Sequence, residues 1–294
     1  MIRVVGIFVV VLAFLVGAFG ANINAQTSSP SALPSPTPST QSGTGGQATP
    51  EFDYERAYKD YVFALDVYET AHSDYLLTRA QYLQAKTLIA ETRARDSASS
   101  MLEARDDVVI TYLRTLRMKL AGVKGVTGVT RDGYLSRLDT ELGWFLGHEE
   151  RISSVGTLQD VVKDSNEAGE QFARVTEPLS YEVLSIIALG ELGLVREDIG
   201  LLLGDIKVKT SLIRLKGDHD VQTVERWILA AENKITRALD KEIEAQISVQ
   251  KIIEPKRGPS VYTNVLLRAD ESLQFLKEAS SNMREIIRAI RTKE

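Results

Sequence analysis

The chain contains only three histidines, and each lies near carboxylates with which it could share a metal ion. Glu69 and His72 have the ExxH spacing that places two ligands on one face of a helix in di-iron bundles. Such a site needs a second ExxH pair and two further carboxylates, and the sequence has no second pair. We therefore interpret Glu69 and His72 as a solvated pair.

The other two histidines also lack a complete catalytic motif. His148 is followed by two glutamates, but the second histidine of a zinc protease is missing, which excludes that class of enzyme. His219 lies between Asp218 and Asp220, where three adjacent polar residues are more typical of helix capping at a turn than of metal binding. We predict no metal site and no bound cofactor.

The rest of the sequence carries no catalytic signature. The absence of cysteine excludes a disulfide scaffold, Cys-ligated zinc, iron–sulfur clusters, thiol catalysis and a lipoprotein anchor. The chain has neither a Gly-rich phosphate loop nor the nucleophile elbow of a serine hydrolase. Carboxylate pairs such as Asp106-Asp107 are expected on solvated helix faces. We predict a protein that is not an enzyme, with no catalytic, cofactor-binding or metal-binding residues.

The charges are unevenly distributed along the chain. No charged residue lies between Arg3 and Glu51, whereas residues 51–294 hold 40 acidic and 34 basic side chains, a net charge of −6. A surplus of negative charge opposes binding to a phosphate backbone. We therefore predict no nucleic-acid partner, and an acidic body behind an uncharged lead.

Residues 1–25 have the organisation of a secretory signal peptide or an N-terminal membrane anchor. Arg3 precedes an apolar run from Val4 to Ala21, and Ala25 is a small residue suited to cleavage before Gln26. The run also approaches the roughly 20 residues that span a bilayer, so both alternatives stay open. Either one predicts an extracytoplasmic protein, which is secreted or anchored to the cell membrane by this segment.

Residues 26–50 are predicted to form a disordered linker. Of the residues from Thr27 to Pro50, 19 are Ser, Thr, Pro or Gly. Such a segment buries too little apolar surface to offset the entropy lost on ordering. It is either a stalk that holds the following domain away from a membrane or a plain flexible linker.

The elements that must position any site are helical. Five tyrosines recur every seven residues from the start of the body, namely Tyr54, Tyr61, Tyr68, Tyr75 and Tyr82. A small residue follows each of them by three positions, namely Ala57, Ala64, Ala71, Thr78 and Ala85. This heptad pattern predicts a long helix with a partner packed closely against it. The tyrosines, with Tyr58, are predicted chiefly as a core stripe and also as a candidate interaction stripe for a partner.

The apolar periodicity predicts an all-α fold for residues 51–294, an elongated antiparallel bundle of about six helices with coiled-coil-like heptads. The first helix is expected to end near Arg95, because Asp96–Ser100 breaks the pattern and Ser100 begins a capping-box spacing. Gly122, Gly125, Gly128 and Gly133 suggest a flexible connection. The predicted helical segments are a hairpin over 51–121 and helices over about 133–154, 157–177 (with an end or kink near Pro178), 180–216, 220–253 and 260–292.

Four short stretches carry a resemblance: Tyr54–Tyr61 (YERAYKDY), Asp74-Tyr75, Tyr82-Leu83 and Gly156–Asp160 (GTLQD). They resemble exported helical-bundle proteins of candidate-phylum bacteria with small genomes, over most of residues 52–290. The resemblance implies a bacterial envelope with a single membrane. No activity is established for that group, so it implies no site residue.

Two functions follow from these patterns. The first is a non-enzymatic cell-envelope protein, a helical bundle on a spacer that acts as a scaffold, adhesion or protein-interaction module. Its partners would be the membrane, through an uncleaved N-terminal segment, and a protein or a second copy bound through helical faces. The alternative is an extracytoplasmic bundle that holds a small molecule or peptide between its helices, in a pocket lined by tyrosine rings. A hydrolase assembled from residues distant in sequence is a third hypothesis.

Overall fold

A computed structural model describes residues 50–152, 156–215, 222–252 and 258–291. The predicted leader (1–25, with the cleavage residues Ala25 and Gln26), the linker up to residue 49 and the Asp218–Asp220 turn lie outside the described residues. Within the described ranges the chain forms helices and no strand, which confirms the all-α prediction. No helix in these ranges has both the length and the apolar content that crossing a membrane requires.

Seven α-helices and one π-helical segment build the part of the bundle that the structure describes. They are α1 (Pro50–Ala85), α2 (Leu88–Gly122), α3 (Gly128–Ile152), α4 (Leu158–Gln171), the π segment (Phe172–Thr176), α5 (Glu177–Leu215), α6 (Gln222–Val249) and α7 (Gly258–Arg291). The backbone stays helical from α4 through the π segment into α5, so six continuous rods form the fold, in agreement with the predicted number.

Neighbouring rods run antiparallel, as ion pairs along α6 and α7 demonstrate. Lys241 on α6 pairs with Glu271 on α7 at 3.4 Å, and Glu244, further along α6, pairs with Arg268, earlier on α7, at 3.3 Å. The main packing partners are α1 with α2, α2 with α3, α6 with α7, and α5 with both α6 and α7. Hairpins therefore supply most of the packing, as short connections favour.

The first hairpin turns ten residues earlier than predicted, so the expected break at Asp96–Ser100 is wrong. Lys86 has a positive φ of 49°, and the hydroxyl of Thr87 accepts a hydrogen bond from the amide of Ala90 at 3.3 Å, which caps α2. The serine run stays helical because a hydroxyl can bond back to the preceding turn, as Ser97 does to the carbonyl of Ala94 at 3.2 Å.

Near Pro178, where an end or a kink is predicted, the chain forms a π segment and the helix continues without a break. The amide of Glu177 donates to the carbonyl of Phe172, five residues back. A proline inside an α-helix lacks a donor and presses against the carbonyl four residues earlier. A π turn directly before Pro178 widens the helix at this point, which lets the rod continue.

The two largest hydrophobic clusters of the described core both include residues of α5. Leu113 of α2 and Val183 of α5 are fully buried in the largest cluster, which joins α1 to α4 with the first half of α5, the end of α6 and the start of α7. Ala231 of α6 and Ile286 of α7 are fully buried in the second cluster, beside the second half of α5. The bundle is therefore a many-helix end followed by a three-helix end.

Candidate functional site

The predicted tyrosine stripe lies along the seam between α1 and α2. Tyr61 is buried and its ring packs 5.6 Å from that of Tyr112, while the other stripe members are half-buried. Burial raises the pKa of Tyr61 above that of a free tyrosine. The seam position accounts for the heptad through packing alone, and a role of the stripe in interaction stays a prediction.

The free end of the first hairpin, Leu76–Arg93, carries exposed apolar side chains; we call it the hairpin tip. None of its residues is buried, and Leu88 and Ile89 are 77% and 68% exposed. The tip also contains three basic residues and one acidic residue, although the whole chain is acidic. An apolar and net positive surface of this kind is a candidate interaction site.

A buried polar centre joins α2, α3 and α4. The carboxylate of Asp106 pairs with Nδ1 of His148, both side chains being fully buried, and Nε2 of His148 lies 3.1 Å from the carbonyl oxygen of Asp164. The Trp144 ring stacks on the imidazole with centroids 5.1 Å apart. This overturns the interpretation of Asp106-Asp107 as a solvated pair, because Asp106 points inward.

The hydrogen-bond geometry requires one proton to be shared by Asp106 and His148. A backbone carbonyl can only accept, so Nε2 must carry a hydrogen to bond to Asp164. The contact between Nδ1 and the Asp106 carboxylate then needs a second hydrogen, on one atom or the other. Whichever atom holds it, Asp106 and His148 together are neutral.

Arg105 lies beside this neutral pair and is nearly as buried. Its Nε is 3.7 Å from Asp106 Oδ1, and its Nη1 donates to the hydroxyl of Ser165 at 3.3 Å. Its Nη2 is buried without a hydrogen-bond partner among the described residues. Burial lowers the pKa of Arg105, while nearby Asp106 and Tyr68 oppose that shift.

Arg105 also lines a cavity of about 450 Å³ between α2, α3 and the junction of α4 with the π segment; we call it the π-segment cavity. Its wall is mainly apolar, with Val109, Phe145, Phe172 and small residues of α4. π segments occur frequently at functional sites. A second, more open groove of about 530 Å³ lies between α1 and α2, and neither volume is lined by a tyrosine.

The π segment also positions a buried carboxylate on α3. Gln171 precedes the segment and Thr176 ends it, and both donate to Glu141, the amide of Gln171 at 2.8 Å. Residues five apart lie on different faces of an α-helix, whereas the wider π turn brings them to one face. Burial raises the pKa of Glu141 above its ordinary 4.5, although these two donors oppose the shift.

We expect this carboxylate to make stability fall as the pH rises. The native state holds the Glu141 proton more tightly than the unfolded state, so the favourable contribution is complete below pH 4.5 and disappears as the pH rises through the native pKa. The free energy of unfolding of Glu141→Gln, taken relative to that of the unmodified chain, should therefore increase from pH 4.5 to pH 8. Urea unfolding at several pH values measures this difference. The exposed Glu197→Gln is the matched control, and an equal pH dependence in both variants would contradict the assignment.

Of the other histidine candidates, His219 lies outside the described residues, and Glu69 and His72 lie on α1. No group of three or more His, Asp or Glu residues suited to a metal ion occurs within the described ranges. His72 stacks on Tyr68 with ring centroids 5.7 Å apart. No protein-family model, curated protein or solved structure matches the chain.

Sequence reasoning missed Arg105, Asp106 and Glu141 as buried residues. The available signal was their position on strongly apolar helix faces. Asp106 lies two positions before the mainly apolar run Val108–Leu113, and all six residues of that run are buried. A charged residue placed within such a surface must find an internal partner.

Proposed function

We propose that the chain is a non-enzymatic cell-envelope protein, exported or tethered by its N-terminal segment, in which the bundle acts as a protein-interaction module. The leader and the linker sequence support export and a spacer. The single observation that carries the interaction role is the exposed apolar surface of the hairpin tip.

The hairpin tip combines the features of a docking surface. Its apolar side chains come from both helices, and they include Leu77, Leu83 and Leu88. Within the described ranges the tip is built by α1 and α2, because α1 packs mainly on α2. A patch of this kind on a soluble domain gains free energy when a partner covers it.

Charge narrows the chemistry of the partner. Arg79, Lys86 and Arg93 outnumber the single acidic residue of the tip, Glu91. Opposite charges around an apolar contact favour association and orient the partner. The partner that fits is a protein with an apolar face bordered by acidic side chains.

A photo-crosslinking amino acid at Leu77, introduced into the full chain in the producing cell, tests this proposal. We expect one adduct of defined mass, recovered either in the medium with a chain that starts at Gln26 or in the membrane fraction with Met1 intact. The double variant Leu83→Ser/Leu88→Ser should reduce its yield at least about fivefold without a change in stability, since exposed substitutions rarely change it by more than about 0.5 kcal/mol.

The matched control is Leu212→Ser/Leu215→Ser, which changes two exposed leucines at the end of α5, outside the hairpin tip. It should leave the adduct unchanged. No adduct, or an adduct equally reduced by both double variants, contradicts docking through the tip. Recovery of the intact chain in the cytosol contradicts export, and an adduct of twice the chain mass replaces the separate partner with a second copy.

The alternative function, a bundle that binds a small ligand, is favoured by one observation, the π-segment cavity with Arg105 in its wall. It is compatible with the interaction role because the cavity and the hairpin tip are built from different residues.

A further inference from the structure

Arg105 is a buried positive charge that is only partly compensated. The residue is 9% exposed, and the Asp106 carboxylate that it pairs with at 3.7 Å is also bound to His148. Asp106 and His148 are neutral together, because their contacts require a shared proton. A buried charge is costly unless it is paired and hydrogen-bonded, so an anion that reached Arg105 would be strongly favoured.

The hydrogen bonding of the Arg105 guanidinium is also incomplete. Nη1 reaches Ser165 only at 3.3 Å, Nε is 3.7 Å from Asp106, and Nη2 has no partner among the described residues. A guanidinium offers five donors in a planar fork that matches a carboxylate. A buried donor without a hydrogen-bond partner destabilises the fold, and a ligand oxygen would satisfy it.

The π-segment cavity provides the space for such a ligand beside Arg105. Its volume of about 450 Å³ lies within the roughly 300–1,000 Å³ of small-molecule sites. Val109, Phe145 and Phe172 supply an apolar wall, and Ser165 and Asn166 add a few polar groups. An apolar wall with one cationic anchor selects an amphipathic anion.

The other charges of the cavity are compatible with an anion. Glu170 and Arg174 also line it, but they pair with each other at 3.5 Å and both are exposed. Arg105 therefore supplies the net charge of the lining, which is positive.

We propose that the π-segment cavity binds a small organic carboxylate with an apolar body, whose carboxylate pairs with Arg105. The apolar body lies against the two phenylalanines, and the carboxylate reaches the fork of the guanidinium. This proposal does not depend on the hairpin tip, and either one can fail without the other.

Isothermal titration calorimetry of the full chain with octanoate tests the proposal, with octanamide as the uncharged probe of the same length. We expect saturable binding of octanoate and at least tenfold weaker binding of octanamide. Arg105→Met should weaken octanoate binding at least tenfold, and Arg105→Lys should weaken it less because the charge is kept.

A second variant keeps the test decisive if Arg105→Met does not fold. Gly169 lines the cavity, and a Cβ added there would meet no heavy atom within 4 Å. Gly169→Leu should occupy the cavity and weaken octanoate binding at least tenfold. Gly200→Leu, at an equally open position on α5, should bind octanoate normally.

Three results would overturn the proposal. They are the absence of saturable octanoate binding, equal affinity for octanoate and octanamide, and unchanged octanoate affinity in Gly169→Leu. Equal affinity for the two probes would indicate an apolar cavity in which Arg105 does not contribute to binding.

Discussion

Asp106→Ala is expected to lower the free energy of unfolding by about 3–5 kcal/mol, because it breaks a fully buried pair and removes the carboxylate that His148 and Arg105 share. His148 loses the hydrogen-bond partner of Nδ1, and Arg105 loses its ion-pair partner. The side chains of Asp106 and His148 are fully buried, so the lost contact lies inside the core. Urea unfolding of the full-length protein, followed by circular dichroism, measures the change.

Asp107→Ala is the matched control for this prediction. The two residues are adjacent on α2, but Asp107 is half-buried and makes no ion pair among the described residues. We expect it to cost less than about 1 kcal/mol, as surface changes usually do. Similar losses in the two variants would show that the pair with His148 does not stabilise the fold.

Gly125→Ala is expected to destabilise the bundle by about 3 kcal/mol, at the upper end for overpacking, and Gly190→Ala by less, because the atom nearest to its added Cβ is a side-chain methyl group. A Cβ on Gly125 would lie 1.9 Å from the carbonyl oxygen of Gly190, and one on Gly190 would lie 2.6 Å from Val126. A backbone atom cannot rotate away as a side-chain end can. The loop between α2 and α3 would therefore have to separate from α5.

Two nearby glycines provide controls with the opposite sign. A Cβ added at Gly128 or Gly193 meets no heavy atom within 4 Å. Alanine there should keep or raise stability, by up to about 1 kcal/mol inside a helix. Thermal unfolding of the four variants compares them directly. Destabilisation of all four to the same extent would contradict a specific contact between Gly125 and Gly190.

The helical class and the first hairpin were predictable because their signals are local. The seven-residue tyrosine repeat identifies one face of α1 wherever that helix lies, and Tyr61 and Ala64 on that face are buried. The position of the turn was not predictable in this way. The hydroxyl of Ser97 can either cap a helix or bond back to the preceding turn inside one. Packing of α1 on α2 selected the continuous helix.

Neither candidate site could be recognised from local sequence signals. An exposed hairpin tip cannot be recognised in the sequence, since Leu88 and Ile89 resemble core residues, and only the structure shows that no third helix among the described residues covers them. The π-segment cavity was equally hidden. Its anchor on α2 and its wall on α4 and the π segment are about 60 residues apart, as the Arg105–Ser165 contact shows.

The sequence by itself determined that the chain forms amphipathic helices, because helical periodicity and capping depend on residues within a few positions of one another. It also predicts an apolar leader and a Ser/Thr/Pro/Gly linker from composition. Tertiary structure alone decided that Asp106 meets His148 and that Gly125 touches Gly190. Those outcomes depend on which distant segments pack together, and an isolated helix carries no record of its neighbours. The candidate sites therefore depend on contacts between residues distant in sequence, whereas the helices depend on patterns of nearby residues.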